Sequence, residues 1–152
     1  MQLGIKLLDS RATMPKYAHP GDSGMDVFPL EKSILNPGEI KLFKLGFALQ
    51  IPHWYEIQIR PRSGMALKGI TIVNTPATID SGFVGEVGVI LINHSDSWYK
   101  ITPQKAIAQL VLCPIVRAEL FTTEILKTTY RGKQGYGSSD FSTSNKDESR
   151  VA

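Results

Sequence analysis

The sequence predicts an all-β domain, a jelly roll or sandwich-like barrel. Three observations predict it. Val, Ile, Leu and Phe alternate with polar residues over short runs; Gly, Pro, Asn and Asp clusters interrupt those runs; and no segment sustains a helical apolar period. In chain order the candidate strands cover residues 3–8, 39–45, 47–51, 55–60, 71–73, 86–93, 98–101 and 108–116. Asn36-Pro37-Gly38, Asp80-Ser81-Gly82 and Ser95-Asp96-Ser97 supply turns. The one helical candidate, 63–67, is short and follows Pro61 directly. Many short strands joined by tight turns close into a roll or barrel, because closure removes open sheet edges.

At 152 residues, with 42% hydrophobic and 20% charged side chains, the chain has the size and composition of one globular domain with a buried core. No apolar run nears the roughly 18 residues of a membrane span. The N-terminal stretch MQLGIKLLDSR lacks the apolar core of a secretory signal. A single cysteine, Cys113, rules out an intrachain disulfide and suits a reducing compartment, so a cytoplasmic location is expected. The run Leu110-Val111-Leu112-Cys113 predicts a buried thiol rather than a nucleophile. His19, His53 and His94 have no metal-ligand spacing and are expected at the surface. The formal net charge of +3 suits an anionic ligand, but no block of Lys and Arg marks a nucleic-acid-binding tail.

Composition shifts near Thr128 from aliphatic to Gly, Ser and charge. Such a segment buries too little surface to fold alone. The expected division is a β-barrel domain over 1–127, a flexible glycine-rich arm over 128–139, and a disordered tail over 140–152.

Three segments carry chemistry. Pro61-Arg62-Ser63-Gly64-Met65-Ala66 joins a strand to a helical turn, where unpaired N–H groups and a hydroxyl can hold a phosphate. The same residues serve equally as an ordinary cap, with Ser63 as N-cap. The stretch from Val73 to Glu86 reads as two extended pieces around a turn, a hairpin or wide β-loop. In it Asp80 can act as general base for a water, and Asn74 offers a donor–acceptor pair to a pyrimidine edge. An aspartate before Ser-Gly is also a common turn opener. Finally, Arg131-Gly132-Lys133-Gln134-Gly135-Tyr136-Gly137-Ser138-Ser139 combines a guanidinium, close backbone approach, hydroxyls and a stacking ring. Composition alone fits a plain linker as well.

The order of these segments carries more than any one of them. With Gly21-Asp22-Ser23-Gly24-Met25-Asp26-Val27 ahead of them and Ala106-Ile107-Ala108-Gln109-Leu110 between, they resemble the five ordered motifs of trimeric dUTPases, from about Ile5 to Ser139. The resemblance implies a jelly-roll-like distorted β-barrel assembled as a homotrimer with sites at subunit interfaces, dUTP as substrate and Mg²⁺ as cofactor. It implies hydrolysis to dUMP and pyrophosphate, with no direct nucleic-acid or membrane partner. By the same resemblance Arg62, Ser63, Gly64 and Gln109 contact phosphates, and Asp26 reaches magnesium only through water. Asn74, Ile79 and Phe83 belong to the uracil and deoxyribose pocket, and Asp80 activates the attacking water. Arg131, Tyr136, Gly137, Ser138 and Ser139 form an arm that closes over the nucleotide.

The sequence departs from the family pattern in places. Phe83 stands where tyrosine is usual, Ala77 where glycine is usual, and Tyr136 where phenylalanine is usual. Gln104-Lys105-Ala106 replaces a Gly-acid-Arg start of the fourth motif, and Gln134 and Asp140 replace common glycines. Two other readings remain compatible with the residues. One is a non-catalytic dUTPase-like nucleotide-binding or regulatory protein; the other is an enzyme of the dCTP deaminase type, which needs a pocket glutamate where Asp80 stands.

Overall fold

Alternation along the strands sorts side chains to two faces and so builds the core. In β6 (Tyr55–Arg60) Ile57 and Ile59 are buried, while Gln58 on the other face accepts from Arg60 Nη2 at 2.7 Å and donates to Glu56 at 2.7 Å. In β9 (Gly88–Asn93) Val89, Leu91 and Asn93 are buried in the same alternating manner. The structure, a computed structural model, describes residues 1–136. Its contacts divide the chain after Arg117 into a β unit and a terminal segment.

Within residues 1–117 the strands pair antiparallel. One sheet runs in the order β2 (Met25–Val27), β11 (Ala108–Pro114), β6, β8 (Ala77–Asp80). A second runs β4 (Ile40–Lys44), β9, β7 (Ile70–Ile72). Two ribbons complete the set: β1 (Gly4–Leu7) with β5 (Phe47–Gln50), and β3 (Ser33–Leu35) with β10 (Tyr99–Ile101). Phe47, Leu45, Ile57, Leu91 and Leu110 are among the side chains closed off between these layers. The only helix among the described residues is the single turn α1 (Ser63–Ala66). The all-β, jelly-roll-like expectation is met.

The structure corrects the sequence reading at several points. Strands β2 and β3 were not anticipated, and β8 was anticipated only as an extended piece of the 73–86 stretch. The first two are three residues long, and β2 has a carboxylate, Asp26, in its middle, so neither presents an alternating pattern. The 73–86 stretch is not a self-paired hairpin. Its strand β8 pairs with β6, and strand structure resumes only at Gly88. Cys113 is half-buried rather than buried, because it faces the polar row of β6, with its sulfur 3.8 Å from Arg60 Nη2. The three histidines are exposed, as expected.

Asn93 is the polar keystone of the core. It is fully buried, yet each side-chain group is used. Nδ2 donates to the carbonyls of Leu35 at 2.9 Å and Ser97 at 2.8 Å, while Oδ1 accepts from the Ser95 N–H at 2.9 Å and the Ser95 hydroxyl at 2.7 Å. One amide thus ties the end of β9 to β3 and to the loop before β10. Asn93→Leu keeps the branched outline of the side chain but removes all four bonds. It should lower the unfolding free energy by about 3 kcal/mol or more, read from urea melts at fixed protein concentration. A loss below about 1 kcal/mol would contradict this role.

Candidate functional site

Two clefts in residues 1–117 hold most of the residues singled out by sequence. The first has a volume of about 710 Å³ and opens where β2, β11 and α1 meet. Strand register assembles it. Gln109 of β11 stands opposite Asp26 on one side and Arg60 on the other. Gly24 permits this approach, since a Cβ there would lie 3.0 Å from Gln109 Oε1 and 3.1 Å from its Cβ. β6 ends at Arg60, and the chain turns at Pro61 so that Arg62 folds back over the sheet. Its guanidinium grips Asp26 through two atoms, Nε to Oδ1 at 3.2 Å and Nη2 to Oδ2 at 3.4 Å. Nη1 donates to the Ala106 carbonyl at 2.9 Å, and Gln109 Nε2 makes a long 3.5 Å contact to Asp26 Oδ1. Asp26 is only 9% exposed, so this pairing compensates its lost hydration.

The ordinary-cap reading of Ser63 does not hold. The N-cap is Arg62, with extended backbone and no side-chain capping bond, and Ser63 is the first residue of the helical turn. A Cβ on Gly64 would meet nothing within 4 Å, so the start of α1 opens onto free space. The first N–H groups of a helical turn have no intrahelical acceptor. Ser63 and Gly64 therefore present donors to the cleft, beside a guanidinium already fixed in place.

The second cleft, about 230 Å³, lies along β8. Ala77 and Ile79 point inward and are buried, while Thr78 and Asp80 are exposed. The Phe83 N–H donates to the Asp80 carbonyl at 3.0 Å and closes the turn that brings Phe83 back to Asn74 and Asp80 at the cleft wall. Gly85 leaves room for the ring, since a Cβ there would sit 2.7 Å from Phe83 Cζ. The volume is below the roughly 300–1,000 Å³ of pockets for drug-sized ligands. It suits a single flat ring and its sugar, with Asn74 for the ring's polar edge and Asp80 at the rim to orient a water.

The two clefts share no lining residue. Asp80 pairs with Glu56, which pairs with Cys113, four positions along β11 from the Gln109 that faces Asp26. Three strand spacings and four residue steps put the Asp26 and Asp80 backbones roughly 20 Å apart in the sheet. A further hollow at the β1–β5 edge, lined by Gln2, Gly4, Gln50 and His53, brings none of the candidate residues together.

The terminal segment forms its own turn, in which Arg131 Nε donates to the Gln134 carbonyl at 3.0 Å and Gly132 N–H to the Thr129 carbonyl at 3.1 Å. Tyr136 is exposed. Gly137, Ser138 and Ser139 lie outside the described residues, as does the 140–152 tail. Sequence reasoning missed Lys16, Phe28, Lys68 and Tyr99, which also line the first cleft. Lys68 was within reach, five positions after Ser63 across a helical turn. The others are placed only by the order of strands.

The dUTPase family model matches residues 10–140. This chain belongs to the dUTPase family. The deoxyuridine 5'-triphosphate nucleotidohydrolase of Clostridium tetani is 47% identical over 137 residues, covering 90% of this chain and 94% of its own. The dUTPase of Staphylococcus bacteriophage 80alpha, solved with dUpNHpp, superposes with a TM-score of 0.82 at 31% identity, covering 90% of this chain and 97% of its own. A mutant dUTPase from phage phi11 of S. aureus, described with a structural Mg(II) ion, superposes with a TM-score of 0.77 at 27% identity, covering 84% and 100%.

In this dUTPase the Phe83 ring rests on the missing side chain of Gly85. Gly85→Ala should push the ring out of place with little loss of stability. Aromatic NMR shifts of Phe83 check this; unchanged shifts would show that the ring does not depend on Gly85.

Proposed function

We propose that this chain hydrolyses dUTP to dUMP and pyrophosphate, limiting uracil in DNA and supplying dUMP. The carrying observation is the division of labour between the clefts of a dUTPase-family chain. One presents a fixed guanidinium with open N–H donors. The other presents a small pocket with a carboxylate at its rim. The triphosphate lies in the first, held by Arg62, Ser63, Gly64 and Gln109. Uracil and deoxyribose lie in the second, against Asn74, Ile79 and Phe83. Asp80 accepts a proton from water as its oxygen bonds the α-phosphorus, and the bond to the β-phosphate bridging oxygen breaks in line. The arm closes over the nucleotide, with Arg131 and the hydroxyls of Ser138 and Ser139 on phosphates and Tyr136 on the base.

Among the described residues no three His, Cys, Asp or Glu gather as a metal cage. Asp26 would hold a magnesium ion carried by the triphosphate through water, beside the Arg62 guanidinium. The chemistry such an ion would supply is neutralisation of triphosphate charge. The ligands envisaged are small molecules, not nucleic acid or membrane. Among the described residues no helix is long and apolar enough to cross a membrane. The free thiol of Cys113 fits a reducing cytoplasm.

The roughly 20 Å between Asp26 and Asp80 supports a site shared between chains. A water held by Asp80 lies within about 3 Å of it. It cannot reach a phosphate in the same chain's Arg62 cleft. The assembly we propose is a homotrimer, in which the cleft of one copy faces the Asp80 pocket of another. Sedimentation of the active enzyme should give a trimer, and a fully active monomer would overturn the arrangement.

Pyrophosphate release from dUTP with magnesium tests the reaction, with UTP, dCTP and dTTP for comparison. Asp80→Asn keeps shape but cannot take the proton. Its turnover should fall about 10²–10⁴-fold while nucleotide still binds. Turnover near the parent rate would remove Asp80 from the role of base.

A further inference from the structure

The first cleft is more cationic than the assigned phosphate contacts require. Four cationic side chains line it against one carboxylate, and that carboxylate, Asp26, is already gripped by Arg62. Two of the extra cations are held in an unusual way. Lys16 Nζ lies 5.5 Å from the Phe28 ring centroid, and Lys68 Nζ lies 5.8 Å from that of Tyr99. Both lysines and both rings line this same cleft. Neither lysine forms an ion pair with a carboxylate among the described residues.

An ammonium over a ring is oriented without being neutralised, because the ring supplies a quadrupole and no charge. A carboxylate partner would cancel the charge and occupy the donors; the ring leaves both for an anion. Backbone placement supports the pairing on each side. Lys16 is bridged to Asp26 of β2, its N–H donating to the Asp26 carbonyl at 3.2 Å and its carbonyl accepting from the Asp26 N–H at 2.8 Å. Lys68 stands in the turn just after α1, its N–H donating to the Met65 carbonyl at 2.9 Å, and Tyr99 belongs to β10. The two pairs therefore come from separate elements that meet only at the cleft. A volume of about 710 Å³ leaves space beyond the phosphate nearest Arg62.

We infer that Lys16 and Lys68, carried on Phe28 and Tyr99, are further phosphate-binding residues that hold the pyrophosphate portion of the substrate and the pyrophosphate product. This rests on the dUTPase reading for its substrate and deepens it. The lysines bind the phosphates that leave, so they act on affinity and on product retention and leave proton transfer to Asp80.

The test titrates inorganic pyrophosphate into the full-length protein by calorimetry, which needs no turnover. Lys16→Met and Lys68→Met should each weaken binding about three- to fivefold, and the double variant about tenfold or more. The loss should shrink as salt is raised, since exposed charges are screened. Lys68→Arg should restore most of the binding. Tyr99→Leu should weaken it less than Lys68→Met does, because the ammonium remains but loses its support. In turnover the double variant should raise KM for dUTP and the inhibition constant of pyrophosphate together, with the melting temperature nearly unchanged. A purely structural role would lower the melting temperature without a selective loss of pyrophosphate. The inference is overturned if the double variant binds pyrophosphate within twofold of the parent, or if the parent binds none. If the parent fails to hydrolyse dUTP while the calorimetric difference persists, the substrate reading falls and the lysine site stands.

Discussion

Strand β11 is hydrogen-bonded along both edges, to β2 and to β6, and the register of that double pairing fixes the first cleft. It sets Gln109 beside Asp26 and places the end of β6 where Arg62 can fold back onto Asp26. A slip of one residue would turn every β11 side chain to the opposite face. Gln109 would then enter the core and Leu110 would face the cleft. The fully buried Ala108 and Leu110 resist that slip, so hydrophobic alternation, a folding device, also sets the geometry of the polar site. Asn93 plays the matching part in the other sheet. Its four side-chain bonds hold β9 to β3 and to the loop that leads into β10, and β10 carries Tyr99 to the same cleft.

Much of this was legible in the sequence, for physical reasons that differ from element to element. β6, β9 and β11 are long enough for alternation to emerge, and each was anticipated close to its observed bounds. β2 and β3 are too short to carry a period. β8 does alternate and reads as extended, but Ser81-Gly82 after it suggests a partner across that turn, whereas its partner is β6. Asn93 closes a strand and precedes His94-Ser95-Asp96-Ser97, so by composition it is one more loop residue. Its burial and its partners at Leu35 and Ser97 exist only in the folded chain.

The candidate residues behaved the same way. Asp26 and Arg62 are far apart in sequence, and their ion pair could be anticipated only through the motif resemblance. Ser63 shows the opposite case: locally it reads as a cap, and the backbone shows that Arg62 holds that position. Lys68 was locally within reach, but the pairing of each lysine with its ring, on Phe28 and Tyr99, left no local trace. Phe83 keeps the ring of the usual tyrosine, and Gly85 accommodates it, so that departure leaves the shape of the pocket wall intact.

The distance between the two clefts has a genetic consequence. In the proposed homotrimer, where the Arg62 cleft and the Asp80 pocket of one active site come from different chains, each copy would contribute two unlike halves to two different sites. A copy defective at Asp80 still offers a sound Arg62 cleft to its neighbour, and a copy defective at Arg62 still offers a sound Asp80. On that proposal, two alleles that are each inactive alone would complement one another when expressed together, through the sites whose halves both happen to be intact. The converse also holds: a single defective chain mixed with normal ones disables sites it does not wholly own.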